Sequence, residues 1–569
     1  MAWPDGDPGD ETVVDALARR AKADGETAIR LESLGAPAVA IGCAELLDRA
    51  REAAGGLADL GVGHGDRVVL VLPTGADFPA VFYGVLLAGA VAVPIYPPAS
   101  SAQMAEFPAT LRRILRLTGG RTVVTLDVFA DALAGDADLA ARVRVVTPDR
   151  LKGGPPGDGL PVPGPDDLAL IQFSSGSSGD PKGICLTHRN LTHNIRAFQR
   201  RMEITPGRDV VVSWLPLYHD MGLIGTMIGS LVTEIPLVLA SPLDFLRDPV
   251  FWLRLVAKYR ATISVAPQFA FSLCVRRARP ERLDGLDLSS LRVLLNGAEP
   301  VQASGVRAFE ETFGPYGLGE GVVTPCYGLA EHALAVAMAR YGEGLRVRPV
   351  PGGDTIDGKE AVSVGPPVPG TEVAVRDRDG APLPDETVGR IVVRSASVGR
   401  GVLTEDGMAP LADEDGWLNT GDLGFLADGE LYVVGREKDL ILTAGRNIHP
   451  QDLEQIAATV EGVRTGRVIA FGVEDAALGT QAVVVAAETR LRAAEDLARC
   501  ATEVRHRVAA GAGVVPRDVV LLPVGAIPLT SSGKLRRSRL KESYVSGDLG
   551  GPLYSTRGGG AAARRAEAE

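Results

Sequence analysis

The stretch FSSGSSGDPKG, residues 173–183, holds four serines, three glycines and one lysine in eleven positions. LALIQF before it and GICLTH at its end read as strands, so the stretch is predicted to form the tip of a hairpin. Glycines let backbone N–H groups turn inward, and hydroxyls with one cation among them suit a phosphate-sized anion. The groups would come from Ser174, Ser175, Gly176, Ser177, Ser178, Gly179 and Lys182.

The same stretch also suggests two other structures, a Walker loop and an exposed linker. A Walker loop, G-x-x-x-x-G-K-[ST], requires a lysine directly after its second glycine, and the spacing here excludes that. An exposed linker rich in serine and glycine would use the same residues and bind nothing. The choice between a linker and a phosphate site therefore depends on the rest of the chain.

The composition limits the classes of protein to consider. A chain of 569 residues exceeds the roughly 250 to 300 residues of one core, so two or more domains are expected. A net charge of −12 argues against nucleic acid or an anionic membrane as partner. Five scattered cysteines without zinc spacing, and an N-terminus unlike a signal peptide, favour a cytoplasmic protein.

The stretch FPAVFYGVLLAGAVAVPIY, residues 78–96, is uncharged and long enough to resemble a membrane span. Its prolines, a central glycine and the preceding strand DRVVLVLP favour a strand, a helix and a strand of a buried parallel sheet instead. We therefore expect no membrane insertion.

The rest of the chain predicts an α/β protein. Short Val/Ile/Leu runs alternate with helical stretches, which indicates parallel sheets. After about residue 365 the sequence pattern predicts β-hairpins instead. We predict a large N-terminal domain over residues 1–435, a small C-terminal domain over 436–545 and a disordered tail over 546–569. A Pro/Gly linker, residues 151–167, leads into the hairpin.

Six further motifs follow the hairpin, over about 360 residues. They are SWLPLYHDMGLIG (213–225), NGAEP (296–300), YGLAE (327–331), TGDLG (420–424), GREKD (435–439) and GKLRR (533–537). Together with the hairpin they resemble the signatures of the adenylate-forming superfamily, in the order typical of that superfamily. The resemblance implies parallel-sheet subdomains with a small β-subdomain, followed by a mobile α+β C-terminal domain. It also implies ATP and Mg²⁺ as cofactors.

The resemblance assigns a nucleotide-binding role to residues of these motifs. The Ser/Gly hairpin with Lys182 would hold the β- and γ-phosphates, Tyr327 would lie against adenine, and Asp422 would accept the ribose hydroxyls. Gly297, Ala298 and Gly328 would line the pocket, and Arg436 would approach the ribose and phosphate. Each residue alone would also fit an ordinary structural role, such as a turn residue or part of a solvent-exposed face. The order of the motifs along the chain favours the nucleotide-binding role.

The resemblance assigns catalytic roles to three residues: Lys534, His219 and Glu331. The resemblance places Lys534 between the attacking carboxylate and the α-phosphate, His219 near the carboxylate, and Glu331 on Mg²⁺. A helix-capping or core role for His219 stays open. Lys438 would be the hinge between the domains. In YGLAE, Ala330 stands where threonine is common in the superfamily, so one hydroxyl near the metal or α-phosphate is missing.

Apolar runs such as MGLIGTMIG and APQFAFSL suit a channel for a fatty acid, and the motifs look most like those of fatty acyl-AMP ligases. That likeness implies a separate acyl carrier protein as acceptor, in lipid metabolism or in polyketide or lipopeptide biosynthesis. In the motif GRNIHPQDLE (445–454), Arg446 is expected to narrow the channel for the acceptor thiol, which would favour a carrier protein over coenzyme A. Only 33 residues, 332–364, separate Glu331 from Gly365, so an insertion usual in those ligases is shortened or absent. An acyl-CoA ligase and a catalytically silent adenylate-binding protein therefore stay open as alternatives.

Overall fold

The protein is described here by a computed structural model. It covers residues 10–22, 26–98, 101–134, 136–153, 161–175, 181–352, 360–443, 446–475, 480–530 and 535–557. Four main sheets and the helices around them form the fold within these residues. The predicted α/β class is confirmed, and so is the strand, helix and strand predicted for residues 67–96: Arg67–Val71, Asp77–Leu87 and Val91–Pro94.

The hairpin strands belong to an eight-stranded sheet. Leu168–Ser175 pairs antiparallel with Pro181–Thr187, with Ser174 opposite Lys182, as the sequence predicts. The sheet is parallel on one side of this hairpin and antiparallel on the other. Its order is Gly407–Ala409, Gly401–Thr404, Pro181–Thr187, Leu168–Ser175, Val91–Pro94, Arg67–Val71, Thr122–Thr125 and Arg144–Val146.

A second eight-stranded sheet carries the start of the motifs NGAEP and YGLAE. Its inner strands are parallel and buried, as expected for Val/Ile/Leu runs covered by helices on both faces. The order is Ala335–Met338, Val323–Gly328, Val293–Gly297, Ile263–Pro267, Val211–Ser213, Leu237–Ala240, Thr27–Ser33 and Ala36–Gly42. Neighbouring parallel strands therefore end side by side at Gly297 and Gly328, where ligands of open α/β sheets bind.

The hairpins predicted after residue 365 correspond to an antiparallel sheet of four strands. These are Thr371–Arg376, Gly389–Ser395, Leu418–Ala427 and Glu430–Arg436, in that order. Two short strands, Val347–Pro349 and Glu360–Val362, pair beside it. The sheet positions Asp422 directly opposite Arg436 on neighbouring strands.

The C-terminal part has its own sheet and hydrophobic clusters, beginning at Ile441. The sheet consists of Val463–Asp475, Thr480–Thr489, Asp518–Leu522 and Tyr554–Ser555, preceded by the small pair Ile441–Thr443 and Arg446–Ile448. Predicting a disordered tail from residue 546 onward was wrong for its first part. Tyr554 packs against the cluster and pairs with Leu521, and Ser555 and Thr556 donate to Asp518.

The helices cover both faces of the large sheets and of the C-terminal sheet, where Leu540 packs on the face opposite the helix Ala494–Ala512. They are Val13–Arg20, Cys43–Asp59, Asp77–Leu87, Ser101–Thr118, Asp127–Ala134, Ala137–Arg142, His188–Met202, Asp220–Gly222, Gly229–Val232, Pro242–Arg247, Pro249–Lys258, Gln268–Arg277, Pro280–Leu283, Ala303–Phe313, Pro450–Ala457, Ala494–Ala512 and Arg537–Ser546. Leu223–Ile228 is a π-helix. Within the described ranges, no helix combines the length and apolar character that a bilayer span requires.

Candidate active site

Tyr327, Asp422 and Arg436 form one group joined by a hydrogen bond and an ion pair, although 95 residues separate Tyr327 from Asp422. The Tyr327 hydroxyl donates to Asp422 Oδ2 at 2.6 Å, and Arg436 Nε lies 3.1 Å from Oδ1. Burial raises the pKa of Asp422, and Arg436 and the tyrosine hydroxyl oppose that rise. Burial and Asp422 together hold the Tyr327 pKa well above its ordinary value, so the phenol keeps its proton and remains a donor.

Glu331 lies in a single 3₁₀ turn, Ala330–His332, directly after the strand that carries Tyr327. Burial raises its pKa, while the charges of Arg436 and Lys182 lower it and that of Asp220 raises it. The carboxylate therefore shares one electrostatic environment with the hairpin, the YHD motif and the strand of Arg436. Four of the seven sequence motifs converge here.

Lys182 lies on the return strand of the hairpin, exposed to solvent, and lines the same cavity as Glu331. The backbone of Ser174 and Ser175 ends the preceding strand. Four further predicted loop residues, Gly176, Ser177, Ser178 and Gly179, lie outside the described residues. The role predicted for the hairpin tip therefore stays a prediction.

His219 is the residue before the short helix Asp220–Gly222 and its Nδ1 lies 2.6 Å from Asp220 Oδ1. The backbone N–H of Met221 is 3.4 Å from the same Nδ1 and 2.7 Å from Asp220 Oδ1. The shorter contacts favour a proton on Nδ1 donated to Asp220, since that nitrogen cannot accept at the same time. Sequence reasoning missed Asp220 as the partner that orients this ring, because an adjacent acid carries no signal of orientation.

The motif NGAEP begins at the end of a buried strand, where Gly297 lies close to the neighbouring strand at Cys326. A Cβ placed on Gly297 would lie 2.6 Å from Cys326 Sγ, so a side chain does not fit there. Ala298 follows with a φ of 66°, in the left-handed region. The turn brings Ala298 to the cavity wall beside Tyr327 and Gly328.

One cavity of about 1680 Å³ joins these groups. Its polar wall includes most of the described site residues: Lys182, His219, Ala298, Tyr327, Gly328, Glu331, Asp422, Arg436 and Lys438. Apolar side chains form another part of its wall: Phe198, Met202, Met221, Val265, Leu295, Leu334 and Met338. The cavity can thus hold a charged group and an apolar group at the same time.

The segment predicted as a hinge is anchored on both sides of Lys438. Glu437 accepts two hydrogen bonds from Arg390 of the antiparallel sheet, at 2.7 and 3.0 Å. Asp439 accepts one from Arg537 of the C-terminal part at 2.7 Å. Burial lowers the pKa of Lys438 between these anchors. These pairs, 47 and 98 residues apart, leave no signal in a single sequence.

Two further expectations concern the C-terminal part. Lys534 lies outside the described residues, while Thr530 and Leu535 on either side of that gap line the cavity. Arg446, which we expected to narrow a channel for the thiol, contacts the end of the helix Ala494–Ala512 instead. Its guanidinium donates to the carbonyls of Ala512 and Gly513 at 3.3 and 3.4 Å, because a helix C-terminus leaves such carbonyls unpaired.

Comparison with known proteins gives the class that this fold and cavity define. The chain matches the family described as AMP-binding enzyme over residues 18–403 and belongs to that family. The resemblance to adenylate-forming enzymes predicted from the motifs is thereby confirmed.

Individual relatives cover nearly the whole chain. A protein of Mycobacterium marinum named "Long-chain-fatty-acid--AMP ligase FadD26" is 34% identical, over 85% of this chain and 88% of its own. "Medium-chain-fatty-acid--[acyl-carrier-protein] ligase JamA" of Moorena producens is 32% identical, over 86% and 87%. A solved structure titled "Structural and Functional Studies of Fatty Acyl-Adenylate Ligases from E. coli and L. pneumophila" superposes with a TM-score of 0.87 at 33% identity, over 95% and 99%.

Proposed function

We propose that the protein activates a fatty acid with ATP and passes the acyl group to the phosphopantetheine thiol of a separate acyl carrier protein. The observation that carries this proposal is the cavity whose charged wall, with Glu331 and Lys182, continues into an apolar wall that includes Phe198 and Met202. A fatty acid needs both environments at once, since its carboxylate must meet a nucleotide while its chain avoids water.

In the first step a carboxylate oxygen attacks the α-phosphorus of ATP, the bond from that phosphorus to the bridging oxygen breaks, and pyrophosphate leaves. Two anions must meet, so the residues around them have to supply positive charge. Lys182 and Arg436 are the described cations around Glu331 that fit this need. Lys534 would supply a point charge between the carboxylate and the α-phosphate.

The nucleoside would bind where two parallel strands end. Ala298 and Gly328 would border adenine with their backbone, next to Gly297, and Tyr327 would lie against the ring. Asp422 would accept the ribose hydroxyls with the lone pairs that Tyr327 and Arg436 leave free. The existing bonds to Tyr327 and Arg436 support this role, because they hold the carboxylate in place before ATP arrives.

Magnesium fits the donor chemistry at Glu331. A carboxylate that is half-buried and whose pKa is raised by burial gains from a hard cation, and Mg²⁺ typically uses one or two carboxylates together with substrate phosphates. When bound, the ion would neutralise charge on the phosphates. Glu331 would hold it beside the hairpin, and His219, held by Asp220, would orient the carboxylate of the acid.

In the second step the thiol sulfur attacks the acyl carbonyl carbon, the bond to the AMP oxygen breaks, and AMP leaves with the thioester formed. We infer that the domain boundary lies near residue 436 and that Lys438 absorbs the rotation between the steps. The names of the relatives, one an AMP ligase and one an acyl-carrier-protein ligase, support this sequence of steps. The cytoplasmic location expected from the sequence stays part of the proposal.

An acyl-CoA ligase is the second candidate, favoured by one observation. The segment 332–364 is short, where an insertion that disfavours coenzyme A was expected. Its described residues include the strand Ala335–Met338, which pairs with Val323–Gly328, and the paired strands Val347–Pro349 and Glu360–Val362. The acceptor is therefore the part of the proposal that needs its own experiment, given at the end of the Discussion.

ATP–pyrophosphate exchange with a series of fatty acids tests the adenylation step. We expect exchange with fatty acids, acyl-AMP identified by mass, and no exchange with amino acids. Asp422→Asn is a suitable inactive control, because it keeps the side-chain shape and removes the charge that Arg436 pairs with. Absence of exchange with every acid would leave the silent adenylate-binding protein as the correct alternative.

A further inference from the structure

The helix His188–Met202 begins directly after the hairpin strand that carries Lys182, and its first turn is tied to that strand. The backbone N–H of Thr187 donates to the side-chain oxygen of Asn190 at 2.9 Å, and the N–H of Asn190 donates to the Thr187 hydroxyl at 3.1 Å. This reciprocal pair is a capping box, which satisfies donors that the start of a helix leaves unpaired. The helix therefore keeps a fixed position relative to the strand of Lys182.

The side chain of Asn190 also holds a segment that lies more than 200 residues further along the chain. Its amide nitrogen donates to the carbonyls of Ala396 and Val398 at 2.8 and 2.9 Å, so both amide hydrogens have acceptors. Between these carbonyls, Ser397 Oγ lies 2.9 Å from Nδ1 of His193 on the same helix. All three side chains are buried, which shields these bonds from water. The helix thus holds three successive residues of this segment.

Residues 396–400 join Glu331 to the return strand of the hairpin. The N–H of Gly399 donates to the backbone carbonyl of Glu331 at 2.9 Å. The N–H of the next residue, Arg400, donates to the carbonyl of Cys185 in the hairpin strand, also at 2.9 Å. Because neighbouring residues of one segment make these two bonds, a displacement of the segment would move Glu331 relative to the hairpin.

The 396–400 segment packs closely against the hairpin strand at Gly399. A Cβ placed on Gly399 would lie 3.1 Å from the Cys185 carbonyl oxygen, and equally close to Leu186 Cδ2 and Leu411 Cδ1. These separations are shorter than ordinary van der Waals contacts. A single methyl group at this position would therefore push the segment away from the strand.

The same helix holds the chain on the other side of Glu331. Asn194 follows Asn190 by four residues and so lies on the same helix face. Its side-chain nitrogen donates to the Ala335 carbonyl and its oxygen accepts from the Ala335 N–H, both at 2.9 Å. The helix thus fixes both the 396–400 segment, which bonds to Glu331, and the strand that follows Glu331.

We propose that Asn190 is a positioning residue for adenylation, which sets the place of Glu331 relative to Lys182 by holding residues 396–400. The proposal rests on the proposed function, in which these two charged residues act on Mg²⁺ and on the phosphates of ATP. Both line the cavity, whereas Asn190 is buried behind it. A misplacement of reacting groups by about 1 Å can lower a rate about 100-fold, even when the altered residue never contacts substrate.

The test measures the two half-reactions separately in Asn190→Asp. Aspartate keeps the side-chain shape and the oxygen that caps the helix, but it cannot donate to the carbonyls of Ala396 and Val398. We expect single-turnover formation of dodecanoyl-AMP to slow about 100-fold. Transfer from synthetic dodecanoyl-AMP to a holo carrier protein or to coenzyme A should keep its wild-type rate, because that step uses neither Mg²⁺ nor the β- and γ-phosphates.

Gly399→Ala displaces the same segment from the opposite side and repeats the test without a buried charge. It should also slow the formation of acyl-AMP alone. In the double variant with Asn190→Asp the two losses should combine less than additively in free energy, because both act through one segment. Thr192→Val is the matched control: Thr192 is buried on the same helix, and its hydroxyl donates to carbonyls of the helix itself. This variant should keep both rates.

Wild-type formation of acyl-AMP in the folded variants would overturn the proposal. An equal loss of both half-reactions would overturn it as well, because a merely structural role predicts that result. If Asn190→Asp does not fold, Gly399→Ala decides between these outcomes by itself. Failure of the proposed function is a different result, in which the wild-type protein forms no acyl-AMP with any fatty acid.

Discussion

The hydroxyl of Tyr327 donates to the carboxylate of Asp422 at 2.6 Å and so joins the second eight-stranded sheet to the antiparallel sheet. The bond orders the carboxylate that we propose accepts the ribose hydroxyls, before the nucleotide arrives. In the proposed complex, the same tyrosine would lie against adenine. One residue would thus link two parts of the nucleotide site.

We expect Tyr327→Phe to raise the KM for ATP about 10-fold with a smaller change in kcat, because a hydrogen bond to a charged group contributes about 1.5 to 3 kcal/mol. Initial rates of pyrophosphate exchange at varied ATP measure this. Tyr341→Phe is the matched control: its hydroxyl donates to Glu203 outside the cavity. An unchanged KM in Tyr327→Phe would contradict the assigned role.

The raised pKa of Glu331 predicts how the stability of the protein changes with pH. Burial raises its pKa in the folded state, so the folded protein binds this proton more tightly than the unfolded chain. The contribution of Glu331 to the free energy of unfolding therefore falls as the pH rises through the raised pKa. At neutral pH the ionised, buried carboxylate destabilises the folded protein. Glu331→Gln should raise the Tm at pH 8 and lose activity.

The Tm difference between wild type and Glu331→Gln should shrink as the pH falls below the raised pKa, since the wild-type side chain is then neutral as well. Thermal unfolding from pH 4 to pH 8 measures this. A Tm for Glu331→Gln that is lower than wild type at pH 8 would contradict the burial cost assigned to this carboxylate.

Lys534→Ala should lower kcat for adenylation on the order of 10²-fold or more while ATP binding stays largely intact. A charge that acts mainly in the transition state has this signature, comparable to the loss of one oxyanion-hole donor. Single-turnover formation of acyl-AMP and equilibrium binding of ATP separate the two effects. Lys22→Ala controls for the loss of one positive charge, and near-normal acyl-AMP formation in Lys534→Ala would refute the role.

Lys438→Pro should spare adenylation and block transfer to the acceptor. Proline fixes φ at about −65°, and a hinge residue must change its backbone angles between the two steps. Glu437 is held by Arg390 and Asp439 by Arg537, so Lys438 lies between two attachments to different parts of the chain, as a hinge residue would. Lys438→Ala should retain both half-reactions; equal loss of both in Lys438→Pro would show that the residue is not a hinge.

The motifs predicted the class of fold and the polar wall of the cavity because the chemistry of each motif is local. Lys182 in the hairpin, Glu331 in YGLAE and Asp422 in TGDLG each carry their signal within a few residues. Contacts between distant segments could not be predicted in this way. The bonds of Arg390 to Glu437 and of Arg537 to Asp439 depend on how the sheets and helices pack.

Two predictions failed for the same physical reason. Arg446 lies in a motif, but its guanidinium reaches the carbonyls at a helix end that only the tertiary structure brings near. The tail after residue 546 looks disordered in composition, yet Leu553 and Tyr554 bury apolar surface against the C-terminal sheet. A few apolar residues are enough to hold this segment against the sheet. The composition of the whole tail does not show their effect, because most of its residues are small or polar.

The most direct test of the account follows both steps in one experiment. The protein is incubated with ATP, Mg²⁺ and a fatty acid that it adenylates, and then coenzyme A and a holo acyl carrier protein are offered in parallel. Mass spectrometry measures acyl-AMP, acyl-CoA and acylated carrier over time. The account predicts acyl-AMP followed by rapid acylation of the carrier with little acyl-CoA; rapid acyl-CoA formation with an unmodified carrier would contradict it.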